Sequence, residues 1–235
     1  MNIEDYRANM TAEMLMGPNS LRILEELLKK HPLVVSSDAS VLDLGCGKGL
    51  TSFAIARETG ARVYANDLWI SAEDNAKRFV DWGVSEQIIP VHEDANNLHF
   101  EKGQFDALLS IDAYHYFATK PDFFEEKILP YLGDKAVALI GIPGIKDDFS
   151  ERSEELLSPW LGDEAYMFQS PIAWKKIIGS HERIEHLETW EMDCFDNAWS
   201  EWFATEHKYA LGDKRFFEGL IKPYTCFVGI YIKLK

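Results

Sequence analysis

The sequence predicts an α/β protein built on a doubly wound, mainly parallel sheet, and three observations support this fold class. Short runs rich in β-branched residues alternate with stretches of helical periodicity. The first run leads into a glycine-rich turn, and a later run ends in an acidic residue. A chain of 235 residues with 46% hydrophobic residues is long enough to bury a full core, so we expect a single domain over residues 1–235.

The elements are predicted in order along the chain. A leading amphipathic helix follows a turn at residues 16–19, and its apolar positions are Leu21, Ile23, Leu24, Leu27 and Leu28. Strands are predicted at 40–45, 62–67, 87–91, 105–111 and 135–141, with helices at 49–59, 71–83 and 121–132. A strand at 183–191, a helical stretch at 195–210 and a closing strand at 226–232 follow, so the sheet ends in an antiparallel hairpin.

Segments outside this minimal sheet are expected to form a cap. Residues 142–172 are rich in Pro, Gly and acidic residues, and residues 195–220 are rich in aromatic residues. Together with residues 1–30 they can fold over the carboxyl ends of the strands, where open α/β sheets bind ligands. We therefore expect them to shape a substrate pocket around a core at about 35–142, with peripheral packing as the alternative.

The charge and the cysteine content exclude several classes of protein. A net charge of −15 repels nucleic acid and anionic membranes, and no apolar run has the length of a signal peptide or a membrane span. The 3 cysteines are widely spaced, which favours reduced thiols. His181 and His186 match no common zinc spacing, so no metal is expected. We expect a cytoplasmic protein, monomeric or homodimeric, without nucleic acid or stable membrane association.

The glycine turn is the most informative segment. Gly45, Gly47 and Gly49 alternate with other residues directly after the first strand, and they leave no β-carbons between a ligand and the backbone. The dinucleotide fingerprint has the spacing G-x-G-x-x-G, so an NAD-dependent enzyme fits poorly. Asp67 closes the next apolar run.

These residues resemble the cofactor site of class I S-adenosylmethionine (SAM)-dependent methyltransferases. The resemblance covers about residues 15–142 and is closest to the small-molecule branch, which includes ubiquinone-biosynthesis-type and cyclopropane-synthase-like enzymes. It implies a Rossmann-like sheet of seven strands, SAM as cofactor, S-adenosylhomocysteine as product and a small-molecule acceptor.

The resemblance also assigns expected roles at the cofactor. Asp43 and the three glycines match the first motif, with Cys46 as a small packing residue in the same loop. Asp67 matches the acidic residue that accepts hydrogen bonds from the ribose hydroxyls. The remaining expected cofactor contacts are Leu68 at the adenine face, Asp94 and Ala95 at the adenine edge, and Ile111 and Asp112 at the methionine end.

The acceptor side is less defined. Residues 114–117 follow the fourth strand, so His115 is a candidate general base, or else a histidine that only hydrogen-bonds the loop. Tyr114 is a candidate catalytic residue and Tyr116 a candidate substrate contact, although both can simply pack. Trp199 and Trp202 can wall a pocket for an aromatic ring or a methylated cation, with a core role as the alternative.

The expected function is methyl transfer to a small molecule by in-line displacement. Two other functions remain open at this stage. One is a SAM-binding regulator without turnover, and the other is a cyclopropane-synthase-like transfer to a lipid, which the acidic charge disfavours.

Overall fold

Seven strands form one mixed sheet in the computed structural model, which describes residues 1–235 apart from the side chain of Leu220. The strands are β1 (Ser40–Leu44), β2 (Arg62–Asn66), β3 (Ile88–Val91), β4 (Phe105–Ile111), β5 (Leu132–Ile145), β6 (Ile184–Glu191) and β7 (Thr225–Leu234). Their order is β3-β2-β1-β4-β5-β7-β6. The pairs among β1 to β5 are parallel, whereas β7 is antiparallel to both β5 and β6. The predicted sheet and its antiparallel end are therefore confirmed.

Helices cover both faces of this sheet, and each face buries its own apolar cluster. The helices are α1 (Ser20–Lys30), α2 (Leu50–Thr59), α3 (Ala72–Asp81), α4 (Ser153–Leu161), α5 (Pro171–Ile178), α6 (Phe195–Phe203) and α7 (Lys208–Phe216). Among the residues that the structure describes, no helix combines the length and apolar character needed to cross a membrane.

Two predicted helices are corrected by the structure. Residues 121–132 do not form an α-helix: a π-helical turn at Phe124–Ile128 passes into a 3₁₀ turn at Leu129–Tyr131. Pro130 in that second turn has no N–H to continue a helix. The stretch 195–210 is two helices, α6 and α7, because the chain bends between them at Glu206, which has a φ of 54°.

The fifth strand is longer than predicted. β5 runs from Leu132 to Ile145 instead of covering only 135–141, so the segment 142–172 begins inside the sheet. β7 pairs with β5 along this extension, up to the pair of Ile145 with Thr225. Pairing with β7 extends β5 beyond the end of its parallel neighbour β4. The sequence of β5 alone did not indicate this extension.

The sheet changes direction of winding between β1 and β4. β2 and β3 lie on one side of β1, whereas β4 and the later strands lie on the other. Connections on opposite sides of the sheet leave a crevice at the carboxyl ends of these two central strands, which is where ligands bind in open α/β sheets.

The first helix packs directly on β5. Asn19 caps α1, since its Oδ1 accepts the N–H of Leu21 at 3.0 Å. The predicted apolar face is confirmed, with Leu21, Ile23, Leu24 and Leu27 buried and Leu28 half-buried. A methyl group placed on Gly141 of β5 would lie 2.3 Å from Ile23 Cγ2 and 3.1 Å from Leu27 Cδ1. The absence of a side chain at Gly141 therefore allows this close packing.

We expect Gly141→Ala to lower the free energy of unfolding by about 1–3 kcal/mol, because the added methyl group overpacks the contact with α1. Urea unfolding followed by circular dichroism measures this change. The control is Gly212→Ala in α7, where a methyl group would meet no heavy atom within 4 Å. That change should raise stability by up to about 1 kcal/mol, since alanine favours a helix. Equal effects at both sites would contradict the packing described.

Candidate active site

A cavity of about 440 Å³ opens at the carboxyl ends of β1, β2 and β4. Its volume lies within the roughly 300–1,000 Å³ that is typical of small-molecule sites. The structure brings together around it most of the residues predicted for the cofactor: Gly45, Cys46, Gly47, Asp67, Leu68, Asp94, Ala95, Ile111 and Asp112. Asp43 and Gly49 do not line the cavity and act behind it.

The glycine turn takes a conformation that side chains would prevent. Gly45 and Gly47 have φ values of 78° and 55°, in the left-handed region. A methyl group on Gly45 would lie 2.3 Å from Ala113 Cβ, and one on Gly47 would lie 3.2 Å from Met16 Sδ. The turn can therefore approach both the segment after β4 and the amino-terminal segment closely.

Asp43 and Gly49 support the turn from inside the protein. Asp43 is fully buried, and its Oδ2 accepts the hydroxyl groups of Thr51 and Ser52, both at 2.6 Å. These bonds tie β1 to the first turn of α2, while burial raises the pKa of Asp43 to about 6. Gly49 precedes α2, and a methyl group there would lie 2.5 Å from the ring of Phe79.

Asp67 ties the glycine turn to the segment after β2. Its Oδ2 accepts the N–H of Gly47 at 2.8 Å, and its Oδ1 accepts the N–H groups of Trp69 and Ile70, both at 2.8 Å. Each carboxylate oxygen can accept about two hydrogen bonds, so Oδ2 retains capacity for one more. Asn75 holds the turn from the other side, since its Nδ2 donates to the carbonyl of Gly47 at 2.9 Å.

The loop after β3 brings Asp94 and Ala95 to the far end of the cavity. Asn66 anchors this loop: it accepts the N–H of Glu93 at 2.9 Å and donates to the Glu93 carbonyl at 3.1 Å. Asp94 Oδ1 accepts two hydrogen bonds from Asn96, which lower the pKa of Asp94. An ionised carboxylate thus stands beside a buried small residue, with Leu68 exposed opposite.

The amino-terminal segment forms one wall of the cavity. Met16, Gly17 and Pro18 line it, and the side chain of Lys48 donates to the carbonyl of Glu13. Asn19 fixes the end of the segment, because its N–H donates to the Ala198 carbonyl at 3.0 Å. The turn at 16–19 therefore both closes the cavity and begins α1.

Asp112 stands where β4 ends, in the left-handed conformation with a φ of 56°. Its N–H donates to the Gly141 carbonyl at 2.7 Å, which continues the pairing with β5. Although one edge of the side chain faces the cavity, the surrounding protein shields it, and this burial raises the pKa of Asp112 to about 8. The negative charge of Asp213 adds to the shift.

A second chamber of about 230 Å³ adjoins the first cavity. Residues from the cap segments enclose it together with the end of β4: Asp112, His115, Tyr116, Pro143, Trp160, Leu161, Glu164, Phe168, Trp199 and Asp213. It also shares Met16, Gly17, Pro18 and Met167 with the first cavity. The segments 142–172 and 195–220 therefore meet over the strand ends, where the sequence analysis expected a cap.

The two tyrosines of the aromatic cluster after β4 have different surroundings. Tyr116 lines both cavities, and its ring meets Trp69 at 5.1 Å between centroids. Tyr114 lines neither, because it is only 1% exposed and packs in the core against Phe123 and Trp174. Tyr114 is therefore not placed to act as the catalytic residue that the sequence analysis expected.

His115 lies in the second chamber and is 2% exposed. Burial lowers the pKa of His115 to about 3, so the ring is neutral and a weak base. This low pKa counts against proton removal by His115.

The two tryptophans predicted to form a wall have different positions. Trp199 lines the second chamber, whereas Trp202 lies behind it, 1% exposed, and does not line it. Nε1 of Trp202 donates to Asp213 Oδ2 at 3.0 Å, so Trp202 orients a chamber carboxylate. Trp202 is therefore a core residue, which was the alternative in the sequence analysis, and not part of a pocket wall.

Several site residues were not found from the sequence. Glu164 and Asp213 lie in polar stretches of the cap, where an acidic residue has no local pattern that marks it as part of a site. Asn66 and Asn75 hold the loops through backbone contacts, and only the position of Asn66, directly before Asp67, offered a signal.

Known proteins are similar to this chain in part of its sequence and in its fold. The family model described as "Methyltransferase domain" matches residues 41–127. A candidate sarcosine dimethylglycine methyltransferase from Galdieria sulphuraria superposes with a TM-score of 0.71 at 15% identity, over 91% of this chain and 85% of that one. Geranyl diphosphate C-methyltransferase from Streptomyces coelicolor A3(2) superposes with a TM-score of 0.72 at 15% identity, over 89% of this chain and 74% of that one. That structure was solved with Mg²⁺, geranyl-S-thiolodiphosphate and S-adenosyl-L-homocysteine.

A third similar structure is Haemonchus contortus phosphoethanolamine N-methyltransferase 2 with S-adenosyl-L-methionine. Its TM-score is 0.69 at 18% identity, over 99% of this chain and 60% of that one. At these identities the superpositions show the fold, whereas the family match covers the glycine turn, Asp67 and Asp112 in sequence. Residues 41–127 therefore match the methyltransferase-domain model, and the chain has the fold of the methyltransferases named above.

Proposed function

We propose that this protein transfers the methyl group of SAM to a small-molecule acceptor held in the second chamber. The observation that carries the proposal is the junction of the two cavities, which share Met16, Gly17, Pro18, Asp112, Tyr116, Glu164 and Met167. A cofactor in the larger cavity and an acceptor in the smaller one would meet at this junction.

The residues of the larger cavity fit SAM. Gly45 and Gly47 leave the backbone free for a ligand, and Asp67 Oδ2 retains an acceptor site for a ribose hydroxyl. Asp94 can accept from the adenine amino group, with Ala95 beside the ring. When bound, SAM would supply an activated methyl group on a positively charged sulfur.

The protein's main task is to hold two reactants in line. Positioning of this kind can account for roughly 7–11 kcal/mol of an activation barrier. Met16, Tyr116 and Trp69 line the larger cavity, and the rings of Tyr116 and Trp69 are in contact there. Asp112 borders both cavities, and in its ionised form it can accept a proton from an acceptor that must lose one.

Calorimetric titration with SAM, S-adenosylhomocysteine and NAD tests the cofactor. We expect micromolar affinity for the first two and none for NAD, because the cavity offers the glycine turn and Asp67 in the arrangement described. Transfer of label from methyl-labelled SAM to an acceptor pool tests the reaction. Binding without transfer to any acceptor class would favour a SAM-binding regulator, and transfer only to phospholipid would favour the lipid alternative.

Asp67→Asn should weaken SAM binding by about 10- to 150-fold, which corresponds to roughly 1.5–3 kcal/mol for a charge-assisted bond. The asparagine oxygen can still accept from Trp69 and Ile70, so the turn after β2 remains. The matched control is Asp81→Asn at the exposed end of α3, which should change the affinity less than twofold. Calorimetry that shows no loss in Asp67→Asn would contradict the cofactor placement.

The ratio of SAM to S-adenosylhomocysteine affinity should rise with pH up to about 8 and level off above it. The pKa of Asp112 is raised to about 8, so below that pH the carboxyl is protonated and must lose its proton before it can stabilise a sulfonium. S-adenosylhomocysteine lacks that charge, which makes it the reference ligand.

Asp112→Asn should make this ratio independent of pH in the same calorimetric series. The titratable groups around Asp112 are Asp213, Glu164, Tyr116 and His115, and the charge of Asp213 contributes to its raised pKa. Asp213→Asn should therefore shift the rise to lower pH without abolishing it. A pH-dependent ratio that persists in Asp112→Asn would assign the effect to another group.

A further inference from the structure

We infer that the acceptor is a small organic amine that enters the second chamber as its ammonium cation and is held between Asp112, Asp213 and Glu164. This inference rests on the proposed function and adds to it the chemical class of the acceptor.

The first observation is a charge without a partner. Asp112, Asp213 and Glu164 line the chamber, and among the described residues that line it there is no lysine or arginine. Burial raises the pKa of Tyr116, and the charges of all three carboxylates add to that shift, so they act on the same small space. Asp112 and Asp213 are partly shielded from water, whereas Glu164 is exposed. Shielded carboxylates are normally paired with a cation, because desolvation of an unpaired charge costs several kcal/mol. A cationic ligand would supply that missing partner.

The second observation is the aromatic and apolar remainder of the wall. Tyr116, Trp160, Phe168 and Trp199 line the chamber together with Pro143. Aromatic faces attract organic cations, and apolar side chains accommodate the alkyl groups of an amine. A metal ion such as Mg²⁺ or Ca²⁺ instead prefers a shell of oxygen ligands and water. The wall therefore suits an alkylammonium group.

The third observation is a pair of buried nitrogen atoms. His115 Nδ1 and Trp199 Nε1 have no hydrogen-bond partner among the described residues, and the two side chains are only 2% and 4% exposed. Both residues line the chamber. Buried polar atoms are normally hydrogen-bonded, so these two favour a ligand that carries an oxygen or nitrogen besides its charge, although Trp174 and Trp190 outside the chamber have unpartnered nitrogens too.

The reaction balances with an amine. When Asp112 is ionised, the bound ammonium group gives one proton to it, and the nitrogen lone pair then forms the bond to the methyl carbon. The carbon–sulfur bond breaks, and its electron pair stays on sulfur as the neutral thioether. The product is a methylated ammonium ion, so one positive charge remains in the chamber beside the carboxylates.

Choline and 3,3-dimethylbutan-1-ol test the charge directly. The two probes have the same shape and hydroxyl group, but choline carries a quaternary nitrogen where the alcohol carries carbon, and choline cannot itself be methylated at nitrogen. In calorimetry on protein saturated with S-adenosylhomocysteine, we expect choline to bind at least tenfold more tightly. Equal affinity for the two probes would overturn the inference.

Single substitutions locate the effect. Asp213→Asn and Glu164→Gln should each weaken choline at least fivefold and leave 3,3-dimethylbutan-1-ol unchanged. The matched control is Glu154→Gln on the exposed side of α4, outside the chamber, which should change neither affinity. Loss of choline binding in the control, or retention in both chamber variants, would contradict the site.

An acceptor screen with methyl-labelled SAM separates the inference from the proposed function. Transfer to primary or secondary amines supports both. Transfer only to phenols, thiols, carboxylates or geranyl diphosphate with Mg²⁺ would overturn the amine and leave the methyltransferase. Absence of SAM binding by calorimetry would overturn the proposed function itself, while the choline comparison, repeated on the protein without S-adenosylhomocysteine, would still report the charge of the chamber.

Discussion

The carboxylate of Asp67 accepts N–H groups from Gly47, Trp69 and Ile70, and the larger cavity depends on this shared acceptor. The bonds join the turn after β1 to the turn after β2, two segments that would otherwise be independent loops. Asn75 fixes the other side of the Gly47 peptide, so both faces of the turn are held. A turn held in this way is already shaped before a ligand arrives, which lowers the ordering cost of binding.

The sequence predicted the part of the site that depends on local chain chemistry. Glycine is needed at positions 45 and 47 because both residues have a positive φ and other atoms lie close to them. Asp67 is the residue directly after the end of β2. In parallel strands the residues after each carboxyl end meet at one edge, so the order of elements sufficed to bring Asp94 and Asp112 to the same cavity.

The residues on the acceptor side could not be predicted from the sequence in the same way. Tyr114 and Tyr116 are two positions apart, yet one packs in the core and the other faces both cavities, because a 3₁₀ turn at Tyr114–Tyr116 rotates their side chains apart. Asp213 comes from α7, which begins at the end of the predicted helical stretch 195–210 and extends beyond it. Contacts between segments so distant in sequence are set by tertiary packing, and no short pattern records them.

The two halves of the site also differ in how they relate to known methyltransferases. The family match at 41–127 contains the glycine turn and Asp67, whereas Glu164, Trp199 and Asp213 lie beyond it. Similar folds at 15–18% identity include a protein solved with geranyl diphosphate and Mg²⁺, whose ligand is anionic. A chamber of carboxylates opposes a bare anion as firmly as it favours a cation. On the proposed function, acceptor choice would follow from the charge of the cap segments, while the sheet and the glycine turn would set only where the cofactor lies.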